Sequence, residues 1–141
     1  MTASITHNPE IQPLTAAERD ALKAEYAQNG CFVLRGVVSA ERLAALHQSL
    51  ADAFDDAQRA GFVYETLEAR GIVDLIRELH PAAARMPNVG CNFNLPGSHT
   101  QHWHTDRDFA REFIIANVAL VDTTIANGAT DLIPGTHKSL L

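Results

Sequence analysis

Cysteine is nearly absent from this chain: Cys31 and Cys91 are the only two, sixty residues apart. They form no Cys-x-x-Cys pair, which removes a disulfide framework and a zinc knuckle from consideration. Two isolated cysteines read as reduced, buried thiols. Positive charge is also scarce, with 11 Lys and Arg against 17 Asp and Glu and a net charge of −6. No basic cluster offsets that balance, so neither a nucleic acid nor an anionic membrane is the expected partner. Long apolar runs are missing as well. The longest, Phe113 to Val121, is broken by Asn117 and is far short of a bilayer span. Met1 to Pro13 is polar, holds two prolines and lacks the apolar centre of a signal peptide. The cytoplasm is the expected compartment. Low-complexity tracts and internal repeats are absent too.

What remains is an ordinary globular composition, 46% apolar over 141 residues, enough for one domain with a core. Residues 1–14 read as a loose leader and 15–141 as a single domain. Thr15-Ala16-Ala17-Glu18 is a capping box. A helix follows, with Leu22 and Tyr26 one turn apart, and Asn29-Gly30 supplies a left-handed stop. Cys31 to Leu34 reads as a short buried strand. Ser39 is a second N-cap, and Leu43, Leu46, His47, Leu50, Phe54 and Ala57 recur at helical spacing up to Gly61. On that stripe His47 reads as a packed histidine. Residues 61–71 favour no one state. Ile72, Leu75, Ile76 and Leu79 mark a further helix, stopped by His80-Pro81, with His80 a helix-end residue suited to the macrodipole. Met86-Pro87 closes the helical part.

The period then changes. Val89, Cys91, Phe93 and Leu95 alternate with Asn88, Gly90, Asn92 and Asn94, giving a strand with one apolar and one amide-lined face. Pro96-Gly97-Ser98 turns the chain, and His99 is a turn residue. Residues 113–121 read as a central strand, Asn127-Gly128 as a tight turn, 129–133 as a short strand and Pro134-Gly135 as another turn. Helices first and strands second indicate an α+β layout. Residues 15–86 are then mainly helical support with one strand, and 87–141 the first part of a β-core.

The segment with the most chemistry is Thr100-Gln101-His102-Trp103-His104-Thr105-Asp106. In an extended chain His102, His104 and Asp106 share one face and Trp103 lies on the other, where it reads as core. A His-x-Asp pair with one further His is the triad that holds non-haem Fe(II). Three ligands alternating along one strand would spread over about 13 Å, too far for one ion without a bend.

Three features together resemble the phytanoyl-CoA dioxygenase family of Fe(II)- and 2-oxoglutarate-dependent oxygenases. They are the strand ending in Leu95-Pro96-Gly97-Ser98, the segment Trp103-His104-Thr105-Asp106, and Asn127-Gly128-Ala129-Thr130-Asp131-Leu132-Ile133-Pro134-Gly135-Thr136-His137-Lys138. The opening from Thr15 to about Ala57 is similar to the family's start. The resemblance implies a double-stranded β-helix (a cupin-like jelly roll) with helices against one sheet. It implies Fe(II) bound by His104 and Asp106, with 2-oxoglutarate as cosubstrate and O2 as oxidant. The implied reaction is hydroxylation of a small organic substrate, coupled to decarboxylation of 2-oxoglutarate to succinate. Asn92 and Asn94 are candidates for binding the cosubstrate carboxylate, and they read equally as an amide pair lining the sheet. His137, the one later histidine, is a candidate third ligand. It stands in a strand-end motif where hydrogen bonding is the commoner role, and His102 is the local rival. Arg107 and Arg111 suit surface ion pairs or an anion.

The family's distal His and cosubstrate-binding Arg lie beyond the Pro-Gly-Thr-His motif, where this sequence ends. A jelly roll takes about eight strands, more than the stretches above supply. The chain is therefore expected to be the front portion of such an enzyme, with unpaired sheet edges that promote self-association. Two rivals stand. One is a non-catalytic remnant or fragment that binds without turnover. The other is a zinc hydrolase with a His-x-His-x-Asp site, whose closing His would fall where Arg107 stands.

Overall fold

The structure is a computed structural model that describes residues 11–52, 61–81, 90, 92, 94–106 and 113–138. Among these described residues four helices come first: α1 (Ala16–Asn29), α2 (Ala40–Asp52), α3 (Gly61–Ala69) and α4 (Ile72–Leu79). Extended chain follows, interrupted by one-turn 3-10 helices at Ile125–Asn127 and Thr136–Lys138.

α1 starts and stops on local chemistry. The Glu18 N–H donates to Thr15 Oγ1 at 3.2 Å, and the Thr15 N–H donates back to the Glu18 carboxylate at 2.7 Å. Two orphan donors are thereby satisfied. Gly30, at φ 74, ends the helix and donates to the Tyr26 carbonyl at 2.8 Å. Thr15→Ala is expected to cost about 1 kcal/mol, read as a lower urea midpoint. The backbone hydrogen bond from Thr15, reinforced by its hydroxyl, holds the Glu18 carboxyl below its ordinary 4.5. A depressed carboxylate stabilises the fold above its unfolded pKa and loses that contribution as pH falls through the lower folded value. Glu18→Gln should therefore lower the melting temperature at pH 7, and the gap to the parent chain should close as acidification carries the pH down through the lowered folded-state value.

Ser39 Oγ accepts from the Arg42 N–H at 3.3 Å and opens α2. Leu46 and Leu50 are buried and His47 is half-buried, as the stripe predicts. Phe54 and Ala57 lie outside the described residues. Residues 61–71, open on sequence grounds, form α3 and its end. Its buried Thr66 donates its Oγ1 hydrogen to the Phe62 carbonyl at 2.7 Å, which gives a buried hydroxyl a partner. Gly71, at φ 72, joins α3 directly to α4.

α4 has eight residues, too few to be stable alone in water, so packing must hold it. It lies against α1 and α3. Ile72, Val73 and the fully enclosed Leu75 are buried, as are Leu22 of α1, Leu46 and Leu50 of α2 and Val38, and these residues make up the core. Arg19 donates to the Gly71 carbonyl at 3.2 Å, and Arg19 and Lys23 of α1 both pair with Glu78 of α4. His80 caps α4, and its Nε2 is 2.8 Å from the Tyr26 hydroxyl. Met86 and Pro87 lie outside the described residues.

The expected jelly roll is contradicted: no strand or sheet exists among the described residues. Residues 31–34, 94–95, 113–121 and 129–133 are without ladder partners, and Val89, Cys91 and Phe93 lie outside the description. The physical reason is that a strand is a pairwise object. Alternation fixes which face a segment shows, but pairing needs a neighbour about 4.8 Å away to take its N–H and C=O groups. Without one, the apolar residues are left in water: Val33 is 69% exposed and Leu132 56%. Among the described residues there is then no sheet edge, which was the reason for expecting self-association. Trp103 is 65% exposed, which corrects its reading as core. Cys31 is a free, half-buried thiol. Among the described residues, no helix is long and apolar enough to cross a membrane.

Candidate metal centre

The segment that carries the His and Asp is launched by a tight turn. The Ser98 N–H donates to the Leu95 carbonyl at 2.9 Å, and the Leu95 N–H donates to Ser98 Oγ at 3.0 Å. Gly97, at φ 88, takes the third position, where a type II turn demands a left-handed residue. Residues 99–106 then run as exposed chain with two bends.

His104 is oriented by its own backbone. Its Nδ1 is 2.6 Å from the His102 carbonyl. A carbonyl can only accept, so Nδ1 carries the hydrogen and the neutral ring has its lone pair on Nε2. That Nε2 faces Asp106 Oδ1 at 3.4 Å. Two acceptors aimed at each other need something positive between them, a proton on the ring or a cation. Metal-binding histidines characteristically donate their second N–H to a carbonyl or carboxylate, which fixes tautomer and ring direction. Bonds of about 2.1 Å set two neighbouring donors on one divalent ion roughly 3 Å apart, close to the spacing here. The donor pair, a borderline imidazole and a hard carboxylate, suits Fe(II), and it suits zinc. Both side chains are about half exposed, so the pair is open to solvent rather than enclosed.

Of the other sequence candidates, His102 contributes its carbonyl, as described. Asn92 is exposed. Asn94 turns its amide onto Gly128, so closely that a Cβ there would collide with the amide nitrogen. The first and third motifs are thus in contact through Asn94. The Asn127-Gly128 turn is not a hairpin turn. Asn127 ends a 3-10 turn that Thr124 opens, its Oδ1 accepting from the Thr124 N–H at 2.6 Å and its Nδ2 donating to the Asp122 carbonyl at 2.7 Å. Gly128 follows at φ 88.

His137 is elsewhere. Its ring packs on Gly30 and lies 6.0 Å from the Tyr26 ring. Both ring nitrogens are buried without a hydrogen-bond partner. The Gly135 N–H donates to the Asn29 carbonyl at 2.8 Å, and Lys138 Nζ donates to the Ala27 carbonyl at 2.9 Å. The Pro-Gly-Thr-His-Lys run therefore acts as a clasp on the end of α1, satisfying carbonyls a helix C-terminus leaves orphaned. Nothing in the sequence gave that contact away, since it spans more than a hundred residues. Among the described residues no three His, Cys, Asp or Glu side chains gather as a metal-binding set. Arg107 and Arg111 lie outside the description.

The family model described as Phytanoyl-CoA dioxygenase (PhyH) matches residues 74–140. Over these residues, just under half of the chain, the sequence is similar to the phytanoyl-CoA dioxygenase family. The matched stretch begins inside α4 and includes the turn at Pro96-Gly97, the His104–Asp106 pair and the clasp. That family consists of oxygenases that generally depend on Fe(II) and 2-oxoglutarate. The opening similarity, Thr15 to Ala57, lies before the match. No curated protein and no solved structure matches the chain.

Proposed function

We propose that this chain carries part of an Fe(II)- and 2-oxoglutarate-dependent oxygenase centre, with His104 Nε2 and an Asp106 carboxylate oxygen as two of the iron ligands. The observation behind it is the convergence of those two acceptors at 3.4 Å inside the family-matched stretch. When bound, Fe(II) with 2-oxoglutarate and O2 supplies the oxidising power to hydroxylate a C–H bond of a small organic substrate, releasing succinate and CO2. The chain's own residues have narrower tasks. The His102 carbonyl holds the His104 tautomer, Asp106 contributes the anionic charge, and the Gly97 turn sets where the segment begins. Asn94, held against Gly128, is positioned to fix the neighbouring chain, and Asn92 stays available to a carboxylate. Residues 15–86 act as the helical support and 87–141 as the segment that bears the site.

A second reading is favoured by one observation, the lack of a third ligand beside the pair among the described residues. In that reading the chain binds a divalent ion without turning over. One experiment separates these readings and the zinc hydrolase. The purified chain is stripped of metal, loaded anaerobically with Fe(II), titrated with 2-oxoglutarate and then exposed to O2. The oxygenase reading expects a charge-transfer absorption on 2-oxoglutarate addition and succinate after oxygen. Iron binding with neither signal supports the non-catalytic binder. Zinc retained in preference to iron, with no response to 2-oxoglutarate, refutes the proposal.

A further inference from the structure

Where α2 begins, a cavity of about 130 Å³ opens between the start of that helix, the last turn of α3 and the segment at Ile11. Gly36, Val37, Ser39 and Thr66 line it together with two arginines, Arg42 and Arg70. It shares no residue with the His104–Asp106 pair.

Arginine is charged at any physiological pH and has five donors to place. In a chain where acids outnumber bases 17 to 11, a carboxylate partner is the ordinary outcome. Arg19, Lys23 and Arg77 each have one. Neither Arg42 nor Arg70 has one within ion-pair distance among the described residues. The Arg42 guanidinium instead lies over the Phe62 ring at 4.2 Å, a contact that leaves its edge donors free. Arg70 Nε is buried with no acceptor. Glu18 is near enough to feel the charge of Arg70, but its carboxylate is committed to Thr15 by hydrogen bonds of 2.7 and 2.8 Å. Of the two hydroxyls on the wall, Thr66 gives its hydrogen to the Phe62 carbonyl, while Ser39 Oγ accepts from the Arg42 N–H and keeps its own O–H to donate. A buried donor without an acceptor costs roughly 1–3 kcal/mol, and a single water would satisfy Nε while leaving both charges uncompensated.

We infer that this cavity is a binding site for a small oxyanion, a phosphate or carboxylate group, held between Arg42 and Arg70. The planar guanidinium fork matches both groups, and the volume admits one of them rather than a large ligand. The exposed edge of Arg42 serves as the entrance and Arg70 Nε as the inner donor.

The test uses the full chain in phosphate-free, carboxylate-free buffer at low chloride. Inorganic phosphate and acetate are titrated separately by calorimetry, with melting temperature as the second readout. Saturable binding of phosphate, of acetate or of both is expected, and which of them binds tells the two sources apart. Arg70→Gln and Arg42→Gln should each weaken that binding about tenfold or more, the loss of a charge-assisted hydrogen bond. Arg77→Gln, which removes an arginine already paired with Asp74, should leave it unchanged. If Arg70→Gln does not fold, Arg42→Gln at the cavity mouth decides alone. Failure of the parent chain to bind either anion saturably overturns the assignment, and so do Arg42 and Arg77 variants that bind equally well.

Discussion

Asp106→Ala is expected to weaken Fe(II) binding at least about a hundredfold and to remove Fe(II)-dependent consumption of 2-oxoglutarate. Groups that only hydrogen-bond to a metal ligand already carry 10–100-fold effects, and Asp106 is proposed as a direct donor, 3.4 Å from the nitrogen with which it would share the ion. The same change should hardly touch the fold. Asp106 is more than half exposed, and exposed substitutions away from caps and cores usually stay within about 0.5 kcal/mol. Lost iron affinity with an unchanged helical circular dichroism spectrum is the combination the proposal requires. His104→Ala should have the same effect. Asp131→Ala, at an exposed carboxylate of the same chain, should have none. Equilibrium dialysis against Fe(II) under argon gives the affinities whether or not turnover is observed. Should Asp106→Ala and Asp131→Ala hold iron equally well, the metal lies somewhere else and the reading of the pair is wrong.

The two halves of this chain were unequally legible, and the reason is the range over which the deciding interactions act. α1 could be placed to the residue, because Thr15, Glu18 and Gly30 act within one turn of the helix they bound. α4 was readable from Ile72 to His80 for the same reason, though its stability comes from Arg19, Lys23 and the core beneath it. The Pro96-Gly97 turn and the approach of His104 to Asp106 are local too, a matter of positions one to three apart. Strand pairing is not local. Residues 113–121 have the composition of a buried strand, yet nothing in that composition says whether a partner lies alongside. Here the described residues provide none, and Trp103 and Leu132 stand in water as a result. Long-range contacts were equally hidden. Isolated arginines have no spacing signature, so the placing of Arg42 and Arg70 on one cavity could not be read from sequence. Nor could the seating of His137 on Gly30, across 107 positions of chain.

That seating leads to the largest stability effect expected outside the core. Gly30 and Gly36 both adopt left-handed backbone, at φ 74 and φ 65. Alanine at either position bears the same conformational cost, roughly 1–2 kcal/mol. The two sites differ in what the new Cβ meets. At Gly36 it finds nothing within 4 Å, whereas at Gly30 it would run into the His137 ring. Overpacking of this kind adds roughly 1–3 kcal/mol, so Gly30→Ala should lose about 2–5 kcal/mol and Gly36→Ala only the smaller part. Urea unfolding of the two single variants, each followed by tryptophan fluorescence and circular dichroism, measures the difference. His137→Ala separates clash from clasp. In the Gly30→Ala background it should restore part of the lost stability by removing the collision. In the parent chain it should destabilise, because the Pro-Gly-Thr-His-Lys run then loses its packing on Tyr26 and grips α1 only through the Gly135 and Lys138 hydrogen bonds. The sign of the effect thus reverses between backgrounds, which a histidine that merely sat in solvent could not produce. Equal losses for Gly30→Ala and Gly36→Ala, with no coupling to His137, would mean that the clasp does not form.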